Sequence, residues 1–168
     1  MKSISQQNPS ENNLFDSINY FFRLFAVADL LKKVGAYKNK GVSPTLIFRK
    51  LFEPAFLQKS FFMLLTLNKG DSDFSKNTGY RFLNSYRTNW IRFTSLLAKA
   101  VISYLKNLTD ANRSNVFIVD DSTFERNRSK KVELLSRVYD HSKNVYAWGY
   151  RLLTLGWSDG HSFIPVNS

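Results

Sequence analysis

Two carboxylates, Asp120 and Asp121, follow directly on the run Val116-Phe117-Ile118-Val119. Such a β-branched and aromatic run reads as a buried strand with the acids at its C-terminal end. A carboxylate fixed at a strand end can hold a hard divalent cation such as Mg²⁺, which prefers oxygen ligands. Two such ions about 4 Å apart could activate a water or hydroxyl and stabilise the leaving oxygen in phosphodiester chemistry. Successive strand residues point to opposite faces, so only one of the two acids can enter a shared site. The sequence Asp120-Asp121-Ser122-Thr123 would equally suit a strand end that enters a turn.

Two further groups carry positive charge. Ser75 is a good helix N-cap, and after it come Lys76, Asn77, Thr78, Tyr80, Arg81 and Asn84. These residue types read base edges and hold phosphates. With Ala55–Leu67 as a preceding helix and Asn68–Asp73 as the turn, Ser75–Tyr86 would form a helix-turn-helix. The turn is longer than usual, and an amphipathic helix with a solvated polar face is the plain alternative. The second group, Arg126, Arg128, Lys130 and Lys131, lies beside the acid pair in sequence and could grip a phosphate backbone, or form a solvated loop. Tyr146, Trp148, Tyr150 and Trp157 read as core rather than as a stacking platform. The two histidines, His141 and His161, have no partner at ligand spacing.

Composition narrows the classes. The 168 residues include 24 Lys+Arg against 13 Asp+Glu, a net charge of +11. Residues 1–110 hold 16 basic and 7 acidic side chains, so +9 of the excess precedes the acid pair. That balance points to a polyanionic partner. The absence of Cys excludes a disulfide scaffold, a Cys-ligated zinc site, an iron–sulfur cluster and a thiol nucleophile. The longest apolar stretches, Tyr20–Leu31 and Phe61–Leu67, are interrupted or too short to span a bilayer, and the polar N-terminus has no signal-peptide centre. No membrane association is expected, and a cytoplasmic location is.

The elements that must position these groups change character along the chain. Residues 1–13 read as a disordered lead. Leu14, Ile18, Phe21, Phe22 and Phe25 then follow helical spacing, and Gly35 with the polar stretch Lys38–Gly41 stops the helix or its successor. Ser43-Pro44 opens another helix, which Glu53-Pro54 is expected to break. A long helix covers roughly Trp90–Leu108. Beyond it come the strand ending at Asp120, a basic connection with a short helix at Lys131–Tyr139, a long strand Val145–Trp157, a turn at Ser158-Asp159-Gly160 and a third strand His161–Val166.

The stretch Phe117–His141, with its Val119-Asp120-Asp121-Ser122-Thr123 centre, and the stretch Gly149–Gly160, with Leu155-Gly156-Trp157-Ser158-Asp159-Gly160, resemble insertion-sequence transposases of the Asp-Asp-Glu (DDE) class. The resemblance implies an α+β chain. A helical DNA-binding region, residues 14–110, would precede the first three strands of a ribonuclease-H-like mixed sheet, residues 111–168. It implies an endonuclease and strand transferase that acts on the double-stranded DNA of transposon ends, with two Mg²⁺ held by two Asp and one Glu. Asp120 matches the first Asp of that set, and Asp121 takes its place if the register shifts by one. The second Asp and the Glu of the family lie downstream of the third strand, and nothing in this sequence replaces them. Asp159 falls in the turn, and Glu125 and Glu133 read as ion-pair partners. The expectation is therefore an N-terminal portion of a prokaryotic transposase, nucleoid-associated when bound to DNA and inactive alone. Its partners would be a second copy or the full-length transposase. The rival readings are a non-enzymatic DNA-binding fragment that occupies transposon ends, and an unselected fragment that aggregates through an open sheet edge.

Overall fold

The computed structural model describes residues 9–57, 60, 62–63, 74–110, 112–129 and 131–168. Two compact units divide the chain, Met1–Phe93 and Thr94–Ser168.

The first unit is helical. It contains α1 (Pro9–Leu24), α2 (Val27–Lys33), α3 (Pro44–Leu57), α4 (Lys76–Leu83) and the first turn of α5 (Trp90–Leu108). Helix α1 begins at Pro9, within the stretch expected to be a disordered lead, and residues 1–8 lie outside the described residues. The apolar spacing from Leu14 onward does what it predicts, burying Ile18 and Phe22. The stripe breaks once, at Ala26, whose φ of 46° is left-handed, and α2 restarts immediately after it. Val27, Leu31 and Ile47 are fully enclosed. Around them the rings of Phe22, Phe48, Phe52, Phe82, Trp90 and Phe93 interlock, with Phe48 edge-on to Phe93 at 5.0 Å and Phe82 edge-on to Trp90 at 5.2 Å. The Trp90 indole N–H donates to the Leu83 carbonyl at 2.9 Å, tying the end of α4 to the start of α5.

Glu53-Pro54 does not break α3, which runs on to Leu57. Proline removes one backbone donor, but Pro54 and Glu53 are both buried, and packing outweighs the lost bond. The Glu53 carboxylate is held by Lys50 Nζ at 3.2 Å, with Arg49 Nε at 3.9 Å. Of the expected helix Ala55–Leu67, residues 55–57 are thus the end of α3. Residues 64–67 and the proposed turn Asn68–Asp73 lie outside the described residues.

The second unit joins the rest of α5 to an antiparallel sheet of β1 (Val116–Glu125), β2 (Ser136–Asp140), β3 (Val145–Ser158) and β4 (Phe163–Asn167). Strand β3 is central. Its Gly149–Ser158 segment pairs with β1 along one edge, while Val145–Gly149 pairs with β2 and Leu155–Ser158 with β4 along the other. The architecture is α+β, five helices followed by an open sheet among the described residues, consistent with a ribonuclease-H-like arrangement.

The sheet differs from expectation in four ways. Four strands are present rather than three, and all pairings are antiparallel rather than mixed. Strand β2 occupies the stretch expected to be a short helix, because Val138 and Asp140 alternate inward with a period of two. Strand β1 continues through the acids to Glu125 and is exposed along nearly its whole length, so Asp120 and Asp121 sit mid-strand. Its apolar character serves pairing with β3 at the sheet edge rather than enclosure. Tyr146 and Trp148 on β3 are exposed as well, and of the aromatics read as core in this strand Trp157 is the one that is buried.

A buried aspartate locks each of the two hairpins made by β3. At the β2–β3 turn Asp140 accepts from the Ser142 hydroxyl at 2.5 Å and the Ser142 amide at 2.9 Å, which holds its carboxyl below the usual range. At the β3–β4 turn Asp159 accepts from the amides of Ser162 and His161 at 2.6 and 3.0 Å, and from Arg113 at 2.9 Å. The Ser162 amide is the main cause, with Arg113 adding to it, of a carboxyl pKa lowered to about 2. Asp159 is thus a turn anchor. Among the described residues no helix is long and apolar enough to cross a membrane.

Candidate functional site

Asp120 and Asp121 point to opposite faces of the sheet and have different surroundings. Asp121 forms an ion pair with Arg151 of β3, its Oδ2 lying 3.0 Å from the guanidinium. The register pairs Asp121 with Leu153, so Arg151 reaches it diagonally on the same face. Asp120 lies directly opposite Thr154 and is flanked on its own strand by Ile118 and Ser122. Its side chain is exposed and makes no ion pair among the described residues. An exposed carboxylate with a hydroxyl opposite and a hydroxyl two residues along offers oxygen ligands to a hard cation, whereas Asp121 already has a countercharge.

A divalent-metal centre needs more than this. Among the described residues no group of three or more His, Asp or Glu side chains converges to hold an ion. Asp120, Ser122 and Thr154 do not by themselves fit a two-ion centre. Glu125 is tied to Lys143, which also lies 3.7 Å from Asp140. Glu125 is therefore an ion-pair partner, at the end of β1 rather than in the basic connection.

Helix α4 brings most of the first basic group together. Lys76, Asn77, Tyr80, Arg81 and Asn84 recur at steps of one, four, five and eight, which puts them on one exposed stripe. Thr78 is half-buried, and Gly79 and Phe82 face the core. Lys76 Nζ lies over the Phe62 ring at 4.8 Å, which steadies its stem while its charge stays at the surface. The helix ends at Leu83 with Asn84 as its C-cap, three residues short of the expected Tyr86. Ser75 does not cap through its side chain: its hydroxyl meets that of Thr78 at 3.1 Å, and its carbonyl accepts the Thr78 amide.

The second basic group is only partly held. Arg126 lies on the Phe124 ring at 4.9 Å, and its amide donates to Trp148 at 2.6 Å. Asn127 fixes the same corner, accepting from the Trp148 amide at 3.0 Å. Arg128 and Lys131 are exposed, and Lys130 lies outside the described residues. Phe124 is four residues along β1 from Asp120, about 13 Å, so this group is a neighbour of the carboxylate rather than a contact.

Sequence reasoning missed Arg151 and Thr154 as surroundings of the acid pair. Residue spacing carries no sign of Arg151, because the cross-strand register alone places it there. Neither a curated protein nor a solved structure matches the chain. The model of one family, the DDE superfamily endonucleases, matches residues 58–168, a stretch that includes α4 and the entire sheet with its mid-strand acids, and the chain belongs to that family.

Proposed function

We propose that this chain binds double-stranded transposon-end DNA through the exposed face of α4, with Arg126, Arg128, Lys130 and Lys131 as a second contact. In this reading Asp120 is the carboxylate it contributes to a Mg²⁺ centre. The observation that carries the assignment is the division of labour between the adjacent acids: Asp121 is paired with Arg151 at 3.0 Å, and Asp120 is in no ion pair among the described residues. Family membership supports the endonuclease class and a DNA substrate.

The same reading makes the 168-residue chain a DNA binder that does not cut by itself, because among the described residues no group of three acids converges to hold two ions. Occupying transposon ends without cleavage would let it block a complete transposase. The test is binding and nicking of a transposon-end duplex by the purified chain, with and without Mg²⁺. Salt-sensitive binding without nicking is expected. Mg²⁺-dependent nicking that disappears in Asp120→Ala would overturn the proposed inactivity while upholding Asp120. Nicking lost in Asp121→Ala but kept in Asp120→Ala would reverse the assignment of the two acids.

A further inference from the structure

The first unit carries a groove of about 700 Å³ where the turn after α2 meets the segment between α4 and α5. Its construction is specific. Gly35 has a φ of +91°, and a Cβ there would lie 2.3 Å from the Arg87 carbonyl oxygen. Only glycine lets these two stretches of backbone touch. The Asn89 amide donates to the Val34 carbonyl at 2.9 Å and fastens them together.

The chemistry along this groove is one-sided. Lys38, Arg81 and Arg87 line it, none of them in an ion pair among the described residues, and no carboxylate lines it. Tyr37 and Tyr86 stand beside them, 67% and 90% exposed. Arg87 lies against the Tyr86 ring, 5.6 Å from its centre, and donates to its hydroxyl at 3.3 Å. Large rings left in water beside cations with no carboxylate partner among the described residues fit a ligand that combines negative charge with flat apolar faces. A single nucleic-acid strand is such a ligand, its phosphates meeting cations and its bases stacking on aromatics. In a duplex the base faces are hidden in the stack, so the tyrosines become useful only where the strand is unpaired.

We propose that the groove binds an unpaired DNA strand, with phosphates on Lys38, Arg81 and Arg87 and bases stacked on Tyr37 and Tyr86. This rests on the reading that DNA is the ligand of the chain, and it adds a preference for strand ends or opened duplex.

The experiment compares the 168-residue chain on a blunt duplex and on the same duplex with a single-stranded thymidine tail, by fluorescence anisotropy at fixed salt. Wild type is expected to bind the tailed DNA more tightly, by about 5- to 150-fold for one stacked base. The double variant Tyr37→Ala/Tyr86→Ala should lose that gain and bind blunt DNA as before, and Tyr37→Phe/Tyr86→Phe should keep it. Equal binding of blunt and tailed DNA by wild type would overturn the inference and leave duplex binding standing. So would a Tyr→Ala variant weakened equally on both DNAs. Failure to bind either DNA would overturn the DNA-binding reading itself.

Discussion

Replacing Lys76 and Arg81 together by Ala should flatten the salt dependence of duplex binding by a definite amount. Both side chains project from the exposed stripe of α4, and neither is in an ion pair among the described residues. A cation that neutralises one phosphate releases condensed counterions and adds about 0.9 to the slope of log affinity against log salt. Losing two such contacts lowers the slope by about 1.8. Between about 50 and 200 mM salt, wild type should therefore lose about 12-fold more affinity than the variant. Surface substitutions of this kind shift stability by about 0.5 kcal/mol or less, so an unchanged urea midpoint checks that the fold is intact. The assay is a salt titration of anisotropy on a transposon-end duplex. A variant that binds with the wild-type slope would show that α4 does not lie on the phosphate backbone, and would refute the assignment of this helix.

Leu31 of α2 is fully enclosed, so Leu31→Ala should cost about 2–5 kcal/mol in urea unfolding of the helical unit. Gly149→Ala should weaken the sheet by about 1–3 kcal/mol, because the added Cβ would meet the Phe124 carbonyl oxygen at 2.3 Å and push β1 away from β3. The Asp159 carboxyl is lowered in the fold from its ordinary 3.8 to about 2, so its contribution is fully present above about pH 4 and disappears as pH falls toward 2. Acid unfolding followed by tryptophan fluorescence should show that loss in wild type. In Asp159→Asn the contribution should be missing at neutral pH, and the dependence between pH 4 and 2 should be weaker.

How much could be read beforehand depended on the range of the interaction involved. Helix α5 and strand β3 were legible because their apolar residues repeat at the period of one element. The turn at Ser158-Asp159-Gly160 was legible from its residue types. Strand β2 was not, since Ser136-Arg137-Val138-Tyr139-Asp140 is polar enough to pass for a loop or a short helix until β3 lies beside it. Pro54 signalled a break that burial overrode, and Ala26 made a break that nothing in its type signals. In the candidate site, the opposite facing of the two acids follows from strand geometry alone. Which of them is neutralised depends on Arg151, brought alongside by register from the far end of a polar loop.

The two aspartate-locked hairpins also set an order of assembly. Both β2–β3 and β3–β4 close across a few residues, which costs little chain entropy, and each turn carries its own buried carboxylate. Strand β1 must instead find β3 across the whole basic connection, with Val116 opposite Ser158 and Glu125 opposite Gly149. The pairing predicts that β3 is templated from both ends before β1 arrives, and that the strand bearing Asp120 is the last to dock. Pulse-labelled hydrogen exchange should then protect the amides of Val138 and Ile164 ahead of those of Val119 and Ser122. The carboxylate proposed to meet Mg²⁺ would be put in place by the slowest contact of the sheet, so a weakened β1 would cost the candidate site before it cost the fold.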